Sequence, residues 1–361
     1  MDTPETFSED LGPLEPILQD PEVTEILVDG PDRIYFERRG KLEDADSRFD
    51  DDEHLLKVIR AIAEPLGQPV NESHPLVDAR LFDGSRVTAV IRPIALDGPV
   101  LVIRKFRKSE ITFDDLVGFG SLSTEIVTFL SMCVRGRMNI LVSGGSGSGK
   151  TTIMNLIAAL IPEDERIITV EKASELQLRK RRVIRLEARP PNIEGRGAIS
   201  VADLVWQALK MRPERLIVGE LSGAEVWPLF QALNTGHDGS MATLHANSPR
   251  DALARLEIMA TSSDPAVPLL NVREQMTSAL DLIVQTNRLA DGTRKITHIS
   301  EVLRMEREVI VLQDIFTFVE GPRDAAQRVT GRFAATGQIP SFLMKLRQYG
   351  LELPVDLFKP S

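Results

Sequence analysis

The chain has 361 residues, 42% of them hydrophobic, enough for two globular domains with sizeable cores rather than a disordered tract. Its 43 Lys and Arg against 53 Asp and Glu leave a formal net charge of −10, which disfavours sequence-independent attraction to nucleic acid and leaves room only for a local basic groove. A single cysteine, Cys133, excludes an internal disulfide framework or cysteine metal site and suits a reducing cytoplasm, while MDTPETFSEDLG has neither the basic start nor the apolar segment of a signal peptide. With no run near the roughly 18 uninterrupted apolar residues of a membrane span, membrane association is expected only through partners.

In chain order, VTEILVDG (23–30) and RIYFERRGK (33–41) predict two strands joined around Gly30 and Pro31. Leu55, Val58, Ile59, Ile62 and Leu66 then recur at helical spacing. DARLFDGSRVTAVIRPI (78–94) reads as strand, Asp83-Gly84 turn, strand, and PVLVIRKF (99–106) as a further strand of the same sheet. These elements predict a small α+β domain over residues 1–112. RKSEITFDDLVGFGSLS, with two glycines in VGFGS, is the expected linker, placed at 113–121, and residues 122–361 form the second domain.

There the pattern changes. NILVSG (139–144), RIITVE (166–171), RLIVGE (215–220) and SMATLH (240–245) are short apolar strands alternating with helices, which predicts a mostly parallel sheet with ligands at the carboxyl ends of its strands. A hairpin over 281–302 and amphipathic material such as PSFLMKLRQYG close the chain, without repeats or a third domain.

Between the first of these strands and the helix after it lies GGSGSGKTT: Gly144, Gly145, Ser146, Gly147, Ser148, Gly149, Lys150, Thr151 and Thr152. Gly144, Gly149, Lys150 and Thr151 satisfy G-x-x-x-x-G-K-[ST]. Such glycines let backbone N–H groups turn inward around phosphate oxygens, the lysine reaches the terminal phosphates, the threonine hydroxyl holds Mg²⁺, and the helix N-terminus adds a favourable dipole. ATP with Mg²⁺ is the expected ligand.

Two more strands end in glutamate, Glu171 and Glu220. A carboxylate at a neighbouring strand end holds Mg²⁺ or orients the attacking water; Glu220 is the general-base candidate, although a glutamate after an apolar strand is also what a first solvated residue looks like. NTGHDGSMATLHANS holds two of the five histidines, His237 and His245, each near a strand end. A neutral imidazole there can sense a γ-phosphate by hydrogen bonding; plain structural histidines remain open, and zinc lacks ligands in this stretch. His54, His74 and His298 have no such context, and the basic run Arg179–Arg182 reads as a solvated face or a contact with nucleic acid or a neighbouring subunit.

GGSGSGKTT, RPPNIEGRGAIS, RPERLIVGE and NTGHDGSMATLHANSPRDALARLE, in that order, resemble the secretion ATPase superfamily of type II and type IV secretion, and most of all its Tad (tight adherence) pilus assembly branch. The similarity spans nearly the whole chain. It implies an α/β fold, a RecA-like P-loop ATPase domain preceded by a smaller α+β, PAS-like N-terminal domain. It also implies a homo-hexameric, Mg²⁺-dependent ATPase, cytoplasmic and peripheral to the inner membrane, acting on pilins through platform proteins. On that resemblance Lys150 and Thr151 are the Walker A pair, Glu171 the acidic-box glutamate and a metal-side group, Glu220 the Walker B glutamate and His245 the key histidine-box position. Arg104 is the best match for an N-terminal arginine reaching nucleotide, with Arg92 and Arg107 as alternatives. Two positions depart from the family pattern: Lys172 stands where aspartate is usual and Ser222 where arginine is usual. The alternatives are a weakly hydrolysing regulatory or scaffold subunit, which those departures motivate, and a nucleic-acid translocase, which the acidic balance disfavours.

Overall fold

The computed structural model describes residues 11–38, 40–81, 84–105, 111–191 and 195–360. Its contacts divide the chain between residues 110 and 111 into two compact units. Residues 1–110 carry 24 Asp and Glu against 14 Lys and Arg, and residues 111–361 carry 29 of each, so the whole net charge of −10 belongs to the first unit.

In the first unit, helix α1 (Glu15–Gln19) precedes strands β1 (Val23–Asp29), β2 (Ile34–Arg38) and β3 (Lys41–Asp44), then come helix α2 (Asp52–Ala63) and strands β4 (Leu76–Arg80), β5 (Arg86–Val90) and β6 (Val100–Arg104). The strands form one antiparallel sheet in the order β3-β2-β1-β6-β5-β4. The Asp51 carboxylate caps α2 by accepting from the His54 amide at 2.8 Å. The apolar stripe Leu55, Val58, Ile59 and Ile62 is buried with Ile26, Val28, Val87, Leu101 and Ile103 of the sheet. The expected α+β unit is therefore observed; Asp83 of the expected turn lies outside the described residues.

The second unit begins with α3 (Phe113–Gly118) and α4 (Thr124–Arg135), then β7 (Ile140–Gly144), α5 (Lys150–Ala159), β8 (Ile167–Glu171), β9 (Val183–Glu187), α6 (Val201–Leu209), β10 (Arg215–Leu221), α7 (Val226–Asn234) and β11 (Met241–His245). Helices α8 (Pro249–Ser263) and α9 (Leu269–Ala279) follow, then β12 (Leu282–Arg288), β13 (Arg294–Glu306), β14 (Val309–Arg323), β15 (Val329–Ala335) and α10 (Leu343–Gln348). The stretch 113–121, expected as a linker, holds α3 instead: Thr112 and Asp115 form a reciprocal capping box, and Leu116 and Leu122 enter the core of this unit. Its glycines end a helix rather than loosen a connection.

One nine-stranded sheet, ordered β15-β14-β13-β12-β7-β11-β10-β8-β9, runs through this unit. The six strands from β12 to β9 are parallel, as expected, and β13, β14 and β15 extend them antiparallel. Side chains alternate across the sheet into two buried layers: Ile140, Val142, Ile217 and Met241 face α4 and α5, while Leu141, Val218, Leu244 and Ile283 face α7, α8 and α9. This is a RecA-like arrangement with β7 at its centre, which puts the loop after β7 amid the carboxyl ends of parallel strands.

At the opposite end of the sheet Arg215 is fully buried. Its Nε and Nη2 donate to the Glu165 carboxylate at 2.6 and 3.0 Å, and its Nη1 and Nη2 donate to the carbonyls of Gly239 and Val134. Arg137 adds a 2.7 Å bond to Glu165. His237 belongs to this end, its carbonyl accepting from Ser240 Oγ at 2.6 Å, so of the two histidines only His245 sits on the loop side. Removing one partner of a buried, bidentate pair leaves an uncompensated charge. Glu165→Ala is accordingly expected to lower unfolding free energy by about 3–5 kcal/mol, read as the shift of the urea midpoint; a loss below about 1 kcal/mol, the scale of an exposed pair, would show that Arg215 relaxes to solvent.

Candidate functional site

The glycine loop leaves β7 at Gly144 and enters α5 at Lys150. Gly149, the N-cap of α5, has φ +99°, where a Cβ is strained, so the loop delivers its amides to the helix N-terminus only with glycine there. Ser146 and Gly147 are exposed, and Gly145, Lys150, Thr151 and Thr152 are half-buried at the mouth. Lys150 Nζ donates to the Gly145 carbonyl at 3.1 Å. Burial pushes its pKa down, against the nearby carboxylates of Glu220 and Glu175, which push it up. Thr151 Oγ1 lies 3.3 Å from Glu175 Oε2. Ser148 Oγ is buried without a hydrogen-bond partner.

The loop's outward carbonyls are also held. Thr286 Oγ1 on β12 donates to the Ser148 carbonyl at 2.9 Å, and Arg294 Nε on β13 donates to the Gly147 carbonyl at 2.7 Å. Beneath, Ser143 Oγ donates to Gln285 Oε1, and Gln285 Nε2 donates to the Ala246 carbonyl at 3.2 Å, tying β7 to the turn after His245. His245 pairs in register with Gly144, half-buried.

The two strand-end glutamates differ sharply. Glu171 is buried at 3% exposure: its Oε1 accepts from the amides of Glu175 and Leu176 at 2.9 and 3.0 Å, and its Oε2 is buried without a partner. Burial raises its pKa, partly offset by those amides. Gly219 of β10 makes room for it, since a Cβ there would stand 2.6 Å from Glu171 Cγ. A bulge between Val218 and Leu221 against β11 follows, and Glu220 emerges from it exposed. Glu175, four residues beyond Glu171, is the carboxylate at Thr151 that sequence reasoning misses. It stands in a loop without strand or motif spacing of its own, and only the placement of Glu171 on its amide brings it there.

The two departures have local homes. Lys172 is exposed, and Ser222 donates from its amide and hydroxyl to Glu225 Oε1, which also accepts from the Gly223 amide at 2.8 Å. In the first unit Arg104 is paired across β1 and β6 with Glu25 at 3.3 Å, its side chain 63% exposed, and Arg92 stands 3.7 Å from Asp52. Arg107 lies outside the described residues. In the Arg179–Arg182 run Lys180 pairs with Glu163 at 2.8 Å, and Arg182 donates to the Asp164 carbonyl.

A glycine loop running into a helix N-terminus, a half-buried lysine and an unpartnered buried hydroxyl fit a polyphosphate. Among the described residues no group of three or more His, Cys, Asp or Glu converges as a metal cage, so a divalent cation here would take the Thr151 hydroxyl and phosphate oxygens, with carboxylates nearby to accept from its waters. No helix among the described residues is long and apolar enough to cross a membrane.

Comparison with known proteins agrees with this geometry. Residues 7–332 match the family described as Type II/IV secretion system protein. A putative conjugal transfer protein of Mycobacterium tuberculosis is 33% identical over 304 residues, covering 82% of this chain and 86% of that protein. The type IV secretion system protein VirB11 of Brucella suis is 30% identical over 320 residues, covering 81% and 88%. In fold, the DotB ATPase of Yersinia pseudotuberculosis superposes with a TM-score of 0.59 at 19% identity over 81% of this chain and 79% of that one. The pilus retraction motor PilT with bound ADP gives 0.57 at 20% over 79% and 80%. The chain belongs to the Type II/IV secretion system protein family, within the secretion ATPase superfamily.

Proposed function

We propose that this chain binds ATP with Mg²⁺ on residues 144–152 and hydrolyses it as one subunit of a homo-hexameric motor of a Tad-type pilus or related secretion apparatus. It would work at the cytoplasmic face of the inner membrane through platform proteins. The observation that carries the chemistry is the glycine loop leading into α5 with Lys150 and Thr151 at its start and the Glu220 and Glu175 carboxylates acting on the lysine. The Tad assignment, the hexamer and the membrane partners rest on the sequence resemblance, and the conjugal-transfer and VirB11 relatives support the broader secretion reading.

The loop amides and Lys150 Nζ hold the β and γ phosphates, and lysine neutralises charge growing on the transferred group. Mg²⁺, when bound, would supply charge stabilisation to the phosphates, and the Thr151 hydroxyl would be its protein ligand. Glu220, exposed at the bulge, accepts the proton of the attacking water. Glu171 spends one oxygen on the amides of Glu175 and Leu176 and so orients the loop that carries Glu175 to the cation's side. His245, one strand over from Gly144, reports the γ-phosphate to the turn before α8. Arg104 is offered as the trans-acting cation, its bond to Glu25 being a solvent-exposed one that gives way at little cost.

Lys150→Ala is expected to abolish phosphate release, and near-normal turnover would remove the loop assignment. Glu220→Gln is expected to slow hydrolysis by roughly 10² or more with fluorescent-nucleotide affinity retained; joint loss of binding would make Glu220 a cation or structural group. For Glu171 the sign of the pH dependence follows from its burial: a folded pKa raised above the ordinary glutamate value means its contribution to stability is full below that ordinary value and falls as pH rises through the raised one. Glu171→Gln keeps an oxygen for the two amides and removes the buried charge, so its melting temperature is expected to exceed wild type at pH 8 and to converge with it at pH 4; a Gln variant less stable at pH 8 would show that the ionised carboxylate is wanted there.

A further inference from the structure

The β12–β13 hairpin touches two distant parts of the second unit through adjacent residues. Arg294 holds the Gly147 carbonyl at 2.7 Å, and Lys295 holds the Gly120 carbonyl, just beyond α3, at 2.6 Å. The Ile296 amide donates to the Ser121 carbonyl at 2.9 Å, and Thr286 on the partner strand holds Ser148. Successive side chains on a strand point to opposite sides, so one peptide unit separates a grip on the phosphate loop from a grip on the turn at 120–121.

The Lys295 ammonium is an expensive choice for stability. The residue is 9% exposed, its Nζ donates to a neutral carbonyl and stands 5.6 Å from the Phe318 ring centre, and burial pushes its pKa down against the Asp291 carboxylate, which pushes it up. An apolar side chain would fill that space without the desolvation cost. The hairpin tip is tied by hydrogen bonds through Asp291. Against the cost of its own burial, Asp291 is held down to about 2 by the Thr293 hydroxyl and amide and the Val329 amide.

We propose that this hairpin is a coupling element in which Thr286 and Arg294 hold the outer carbonyls of the phosphate loop and Lys295 holds the 120–121 turn, so that phosphate on the loop tightens the segment opening the second unit. The proposal rests on the nucleotide reading of that loop. Phosphate oxygens draw the loop amides inward; the same peptide units then turn their carbonyls outward and strengthen the bonds from Arg294 and Thr286. Differential strength in the two states is what lets the ligand bias the hairpin. Arg294, Lys295 and Thr286 are positioning residues, since each acts through the loop or the turn.

The test is hydrogen exchange of amides 118–122 in the full chain with and without saturating ADP, beside titration with fluorescent ADP. In wild type, ADP is expected to slow exchange there by roughly fivefold or more, the lower end of typical site-to-site coupling. Lys295→Met is expected to bind ADP within about twofold of wild type and lose the response, because the ligand shifts only what it is connected to. Arg294→Ala is expected to lose it at saturation, Arg294→Lys to recover part of it, and the isosteric Thr286→Val to weaken it without altering any charge. A full ADP response in Thr286→Val and in folded Arg294→Ala or Lys295→Met overturns the coupling. Failure of the wild-type chain to bind ADP removes the nucleotide reading itself.

Discussion

A loop that turns its amides inward must turn its carbonyls outward, and those carbonyls need donors. In this chain Thr286 and Arg294 supply them to Ser148 and Gly147. These donors sit on β12, which pairs parallel with β7, and on β13, which folds back antiparallel on β12. The neighbouring pairing of β7 with β11 sets His245 opposite Gly144. The site is thus framed on both sides by strands rather than by mobile loops, which limits the reorganisation that binding has to drive.

The acidic side of the site follows a second economy of space. Gly219 leaves a gap, Glu171 fills it, and the bulge that follows throws Glu220 out toward Lys150. Two carboxylates at adjacent strand ends therefore end in opposite environments, one buried with its pKa raised, one exposed. Such divergence is how like residues come to do unlike work. Ser222 and Glu225 close the same turn by their own hydrogen bonds, so the position where the resembling family usually has arginine here carries a locally hydrogen-bonded turn.

Much of this was legible in the residues. The short apolar strands β7, β8, β10 and β11 and the glycine loop carry strong local signals, and the α2 stripe reads directly as a helix. Strand β9 escapes notice because it is a short, half-exposed edge strand that follows directly on the basic run Arg179–Arg182. Strands β14 and β15 escape because a half-exposed antiparallel flank has weak periodicity. A T-x-x-D capping box makes α3 out of what glycines suggested was a linker. In the site, Glu175 and Arg294 have no motif: the first depends on a turn shaped by Glu171, the second on a contact across 147 residues of sequence. His237 misleads because two histidines eight residues apart flank one strand and so fall at its opposite ends.

The confinement of all net charge to the first 110 residues has a consequence for assembly. Copies that bring these acidic units side by side work against their mutual repulsion, which reaches about 10 Å at 0.1 M salt and about 30 Å at 0.01 M. The second unit, balanced at 29 charges of each sign, has no such long-range objection to its own kind. Were copies of this chain to associate, dilute buffer would therefore weaken contacts between first units more than contacts between second units.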